Sequence, residues 1–168
     1  MTILTFNGHI SKGAGLFATQ LVVPGTRELP APIPNWPAQL HPGTLNFKVS
    51  ANGFPLEFLQ HFGTASVKHL DKRSFKPLVE LPGALIRNNT LPATAQQPDR
   101  GNAQIWKATI VSTLGTSAEC WVLRRICSGY SDVLECVSER ALRKALNAPA
   151  DTALAAQLLL EGSWQVPR

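Results

Sequence analysis

Proline spacing limits this chain more than any other feature of its sequence. Over residues 24–42 prolines recur too closely for a helix, where each would remove a hydrogen bond and clash with the preceding turn, or for a central strand, where each would remove a ladder donor. That stretch is expected to be a covering loop anchored by Trp36 and Leu40. Elsewhere Pro and Gly cut the sequence into short apolar runs joined by turns, which favours a mostly β fold over long helices.

The runs themselves carry the signature of strands. Residues 2–10 mix β-branched and aromatic side chains, residues 11–15 interrupt them with Ser, Lys and Gly, and residues 16–23 resume an apolar run. Residues 44–50 alternate Leu45, Phe47 and Val49 with Thr44, Asn46 and Lys48, the period-two pattern of a half-buried strand. Residues 55–62 suit a short helical turn, and residues 78–86 an extended segment broken at Pro82-Gly83. Residues 88–102 read as an exposed loop. Three further strands are expected over 105–112, 120–126 and 132–137, followed by a short helix over 139–146 capped by Ser138 and a last strand candidate over 152–160, whose alanines and leucines would also suit a helix. Several short strands in series point to a barrel, and 168 residues suffice for one domain spanning 1–168 with its own core.

A formal charge of +5 favours an anionic partner without identifying it. The densest basic groups, Lys72-Arg73 and Arg124-Arg125, are too short to mark a nucleic-acid site and read first as solvated faces. Cys120, Cys127 and Cys136 form no CxxC motif, so buried thiols are expected rather than zinc or a redox pair, and their odd number fits a reducing cytoplasm. No leader-like segment opens the sequence and no stretch approaches membrane-spanning length.

Three groupings could carry chemistry. The turn Lys12-Gly13-Ala14-Gly15 could aim backbone N–H groups at a phosphate, although, taken alone, an ordinary glycine hairpin is the simpler reading. Pro42-Gly43-Thr44-Leu45-Asn46 delivers a hydroxyl and an amide oxygen to one face at the start of a strand; such hard oxygens suit magnesium, or else they satisfy the turn's own backbone. Asp132 and Glu135 fall on opposite faces of a straight strand and are not expected to pair. Glu135 sits among Leu134, Cys136 and Val137, where partial burial would make it a usable base, unless it simply points outward. His9, His41, His61 and His69 make no metal or nucleophile motif, though His41 borders the magnesium candidate. Trp106, Trp121 and Tyr130 could stack a flat ring, but strand aromatics usually pack a core.

In this order the pieces resemble the archaeal CTP-dependent riboflavin kinase family. The Pro42-Gly43-Thr44-Leu45-Asn46 segment is similar to the family's PGTLN, and Asp132-Val133-Leu134-Glu135-Cys136-Val137 with Leu142-Arg143 is similar to its acidic apolar strand and succeeding LR helix. The resemblance covers most of the chain and implies a six-stranded cradle-loop (RIFT-like) barrel with long loops. It implies phosphoryl transfer from CTP to the ribityl hydroxyl of riboflavin, giving FMN and CDP, with Mg2+ held by Thr44 and Asn46. Residues 8–15 would correspond to the family's glycine-containing loop, with Lys12, Gly13, Ala14 and Gly15 on the nucleotide. Arg140, Ala141, Leu142 and Arg143 would form the second nucleotide-contacting segment, and Glu135 the flavin-contacting, catalytic glutamate. The glycine loop is shorter than the family's, and Cys127 stands where the family offers a threonine to the flavin, with Ser128 adjacent as a substitute. The proline-rich stretch and residues 88–102 lack counterparts. A flavin- or nucleotide-binding barrel without kinase activity is the alternative, and an interaction barrel using the two basic pairs is a third reading.

Overall fold

Side chains on a strand point alternately to opposite faces, so a chain of alternating runs can bury one face only by closing its sheet or covering it. The computed structural model describes residues 1–11, 21–22, 36–37, 40–41, 44–82, 87–88, 102–149 and 152–165. In chain order these form strands β1 (Thr2–Ile10), β2 (Leu21–Val22), β3 (Leu45–Val49), β4 (Phe75–Lys76), β5 (Val79–Leu81), β6 (Arg87–Asn88), β7 (Ala103–Ser112), β8 (Ser117–Arg125), β9 (Val133–Val137) and β10 (Leu154–Trp164). Helices α1 (Leu56–Phe62) and α2 (Leu142–Ala145) and a 3₁₀ segment, Val67–Lys72, complete the described elements.

Six strands close into an antiparallel barrel in the order β10, β1, β3, β9, β8, β7, with β7 pairing back onto β10. The closing strand β10 runs against the whole of β1, from Thr2↔Gly162 to Ile10↔Leu154, and against β7 from Ala156↔Ser112 to Glu161↔Lys107. Short β4 extends the β10 side and β5 flanks β7, while β2 and β6 pair separately as a two-stranded ribbon.

The interior is filled by inward residues of every barrel strand, among them Leu4, Phe6, Phe47, Trp106, Leu134 and Leu158. Small residues make room for large ones across the ladder: Ala108 faces Leu160, and Ala118 faces Ile110. The fillers Phe58 of α1, Val67 and Leu70 of the 3₁₀ segment, and Leu142 and Leu146 around α2 are packed against the same cluster.

A second apolar cluster lies on the outer faces of β7, β8 and β9. It joins Ile105, Trp121, Leu123 and Val137 to Leu81 of β5, and Trp36 and Leu40 cover it, with the rings of Trp36 and Trp121 4.9 Å apart. The expected anchors of the proline-rich stretch are therefore both buried. This cover also explains why β7 and β8 read as nearly continuous apolar runs: both their faces are buried over much of their length.

Some expectations shift. The helix near the C-terminal end starts at Leu142, behind Ala141, and not at residue 139, and Ser138 does not cap it. Ser138 instead ends β9 as a buried residue: its carbonyl accepts the His41 N–H at 2.8 Å and its hydroxyl accepts the Arg140 N–H at 3.2 Å, which holds residues 138–140 in a turn. Residues 8–10 belong to β1, so any glycine loop begins after them. Among the described residues no helix is long and apolar enough to cross a membrane.

Gly8 lies where β1 passes close to β3, and a β-carbon there would collide with the Lys48 carbonyl oxygen. Gly8→Ala is expected to cost roughly 2–3 kcal/mol by forcing the two strands apart, read as a lower urea midpoint at unchanged slope.

Candidate functional site

The sequence-derived metal pair is held together by the strand it opens. Thr44 precedes β3 and Asn46 lies within it, both half-buried, and the Thr44 hydroxyl donates to Asn46 Oδ1 at 3.5 Å. Because Phe47 and Val49 fill the barrel, Asn46 faces outward, and the β3–β9 register sets it directly opposite Glu135. Directly opposed residues have β-carbons about 5 Å apart. Amide and carboxylate therefore share one outer face, with Thr44 beside them. On its other side Glu135 faces Leu123 of β8.

The glycine-loop residues Lys12, Gly13, Ala14 and Gly15 lie outside the described residues, but their point of departure does not. The Ser11 N–H, immediately after β1, donates to the Asn46 carbonyl at 2.9 Å. The chain thus leaves β1 beside the Thr44, Asn46 and Glu135 group.

The donor set fits a hard cation. Two neighbouring ligands of an octahedral magnesium, each about 2.1 Å from the ion, stand about 3 Å apart. The 3.5 Å between Thr44 Oγ1 and Asn46 Oδ1 needs only a small side-chain adjustment to match. No cluster of three or more His, Cys, Asp or Glu with metal-binding geometry occurs among the described residues, so a carboxylate cage is not what this face offers.

The residues 140–143 follow directly from the end of β9. Arg140 is exposed, whereas Leu142 packs into the barrel cluster, so the Leu142 side chain is core. The Arg143 guanidinium donates to the Pro149 carbonyl at 2.7 Å, and partial burial pulls its pKa below the ordinary value. Part of its hydrogen-bonding capacity is thus used to hold the turn after α2. The four residues of this segment do not act alike.

The loop between β8 and β9 carries Cys127, Ser128 and Tyr130. Cys127 is exposed, contrary to the expectation of three buried thiols, and takes a left-handed backbone with φ of 68°. Cys120 and Cys136 are buried in the barrel, where their mutual hydrogen bond, together with burial, pushes the Cys136 thiol well above its usual pKa. Tyr130 is 42 % exposed; desolvation first, and then the nearby Glu135 carboxylate, raise its phenol pKa. The loop runs directly into β9, the strand that carries Glu135. Trp106 is fully buried in the barrel and Trp121 lies under Trp36, which leaves Tyr130 as the exposed member of the aromatic trio.

The basic pairs do not form patches. Arg124 is buried and donates to both oxygens of Asp71, at 2.9 and 3.3 Å, and to the carbonyls of Tyr130 and Ser128. Arg73 is paired with Glu80 at 2.8 Å, and Lys72 sits over the Phe62 ring. Sequence reasoning missed Asp71 because its partner lies 53 residues away and nothing local signals the pairing. Asp132 contacts Lys48 at 3.9 Å. His69 stacks on Phe62 at 4.8 Å and hydrogen-bonds Thr64, while His61 packs against Trp164, so both are occupied structurally.

A cleft of about 300 Å³ opens on the outer face of β7 and β8 between Lys107, Glu119 and Trp121, and it reaches Ser138 and Glu139. Asn46 and Glu135 do not line it.

No protein-family model matches the chain, and no curated protein is significantly similar to it.

Tyr130 is the chain's one tyrosine, so phenolate absorbance reports it alone. Removing the neighbouring charge with Glu135→Gln is expected to lower its titration midpoint toward the ordinary value of 10.0. An unchanged midpoint would mean that Glu135 does not act on this loop.

Proposed function

We propose that this chain is a metal-dependent phosphotransferase that moves the terminal phosphoryl group of CTP to the ribityl hydroxyl of riboflavin. One arrangement carries the reading: Thr44, Asn46 and Glu135 share an outer face, at the point where the glycine loop departs through Ser11. Phosphoryl transfer asks little covalent chemistry of a protein and depends on aligning two oxygens and compensating charge. A hydroxyl, an amide and a carboxylate on neighbouring strand positions offer that alignment on a rigid scaffold.

Thr44 and Asn46 would hold magnesium, which would supply positive charge against the nucleotide phosphates. Glu135 hydrogen-bonds the acceptor hydroxyl and takes its proton as the oxygen attacks the γ-phosphorus. The bond from that phosphorus to the bridging oxygen breaks, and CDP leaves with its electron pair. Lys12, Gly13, Ala14 and Gly15 cradle the phosphates, residues 140–143 contact the nucleotide through Arg140 and backbone groups, and Cys127 and Ser128 meet the flavin. The buried free thiols Cys120 and Cys136 suit a reducing compartment, so we assign the protein to the cytoplasm.

Cys127 favours a second reading, a flavin- or nucleotide-binding barrel without transfer, because a thiol is a poorer hydrogen-bond partner than the hydroxyl the family presents there.

Purified protein supplied with riboflavin, magnesium and each nucleoside triphosphate in turn is expected to form FMN with CTP. Thr44→Ala and Asn46→Ala should each lower turnover by about a hundredfold. Flavin or cytidine-nucleotide binding without FMN would select the non-catalytic barrel, and a folded protein that binds neither would remove both readings.

A further inference from the structure

We propose that Asp71 is a positioning residue: clamped by Arg124, its carboxylate fixes the turn over residues 127–130 from which the flavin acceptor is held against Glu135. This rests on the kinase reading above and adds a residue that neither the motifs nor the resemblance supplied.

The clamp joins one carboxylate, one guanidinium and the backbone of one turn. Asp71 Oδ1 accepts from Arg124 Nε at 2.9 Å, and Asp71 Oδ2 accepts from Arg124 Nη2 at 3.3 Å and from the Cys127 backbone N–H at 3.0 Å. The same guanidinium donates to the Tyr130 and Ser128 carbonyls at 3.2 and 3.3 Å. The Arg124 side chain is 3 % exposed and that of Asp71 21 %, so the pair is shielded from competing water. Finally, Cys127 sits at φ of 68°, a region that a residue with a β-carbon enters only when its surroundings hold it there.

Stability alone is a poor reason for such a pair, because desolvating two charges offsets most of their attraction and an apolar pair would pack as well. What the ion pair adds is direction. Two hydrogen bonds join the pair, and three more run from it to a single turn, orienting Cys127, Ser128 and Tyr130 together. The turn joins β8 to β9, and Leu123 of β8 stands opposite Glu135 of β9, so the oriented turn lies at the end of the strand pair that carries Glu135.

The test uses the full chain, with flavin affinity read by fluorescence quenching, KM values read separately for riboflavin and CTP, and the rate of Cys127 modification by a thiol reagent. Asp71→Asn is expected to raise the riboflavin Kd and KM about tenfold, leave the CTP KM unchanged and accelerate Cys127 modification several-fold. Asp71→Glu should restore part of the affinity. Because Asp71→Asn strands a buried guanidinium and can unfold the barrel, Asp71→Asn/Arg124→Gln, which removes both charges, serves as the second variant and should show the same selective loss. A folded variant with unaltered riboflavin affinity, or with both KM values raised alike, overturns the positioning role while the kinase reading stands. A wild-type protein that neither binds nor phosphorylates riboflavin overturns the kinase reading and this role with it.

Discussion

A barrel of six strands has room inside for little more than its own side chains, and that limit governs everything else in this molecule. Leu4, Phe6, Phe47, Trp106 and Leu158 already occupy the space, with Ala108 and Ala118 placed where a larger residue would not fit. Asn46 therefore stands on the outer surface, because the alternation that sends Phe47 inward sends it outward. The register between β3 and β9 does the rest, because a slip of one residue would turn one strand over and part Asn46 from Glu135.

The outer surface divides into regions of different character. Over β7, β8 and β9 it is apolar and covered by Trp36 and Leu40, which makes these strands two-sided. Over the β3–β9 pair it presents oxygen-bearing side chains. Glu135 lies at the boundary, facing Asn46 on one neighbour and Leu123 on the other, so polar and apolar surface meet there. The loop that follows β8 approaches the same boundary and is held by charge rather than by packing.

Local pattern made the strands legible. Leu45, Phe47 and Val49 alternate with polar residues, and the structure places β3 where that alternation lies. The apolar runs of β7, β8 and β9 were equally readable, as was the barrel they imply, and the placement of Thr44 and Asn46 on one face followed from period two alone. What could not be read were effects of distant partners. Arg124 resembles a solvated charge until Asp71 is brought beside it, and the 3₁₀ segment that carries Asp71 has no periodicity to reveal it. Ser138 carries the chemistry of a helix cap, but His41 claims its carbonyl and keeps the backbone in a turn. Cys127 looked like a core thiol by composition, and its exposure comes from a loop conformation that no propensity encodes.

The junction of β1 with β10 has a consequence in time. The Asn7 side chain accepts from the Gln157 amide across 150 positions of sequence, and the ladder around it is equally non-local. As the chain is synthesised, β1 must persist with one edge vacant until its neighbour is made, and the ring can form only as a late, concerted event. Exposed backbone donors on an apolar strand invite pairing with another molecule in that interval. Yield in the cell would then depend on how quickly this seam is sealed more than on how firmly it holds afterwards.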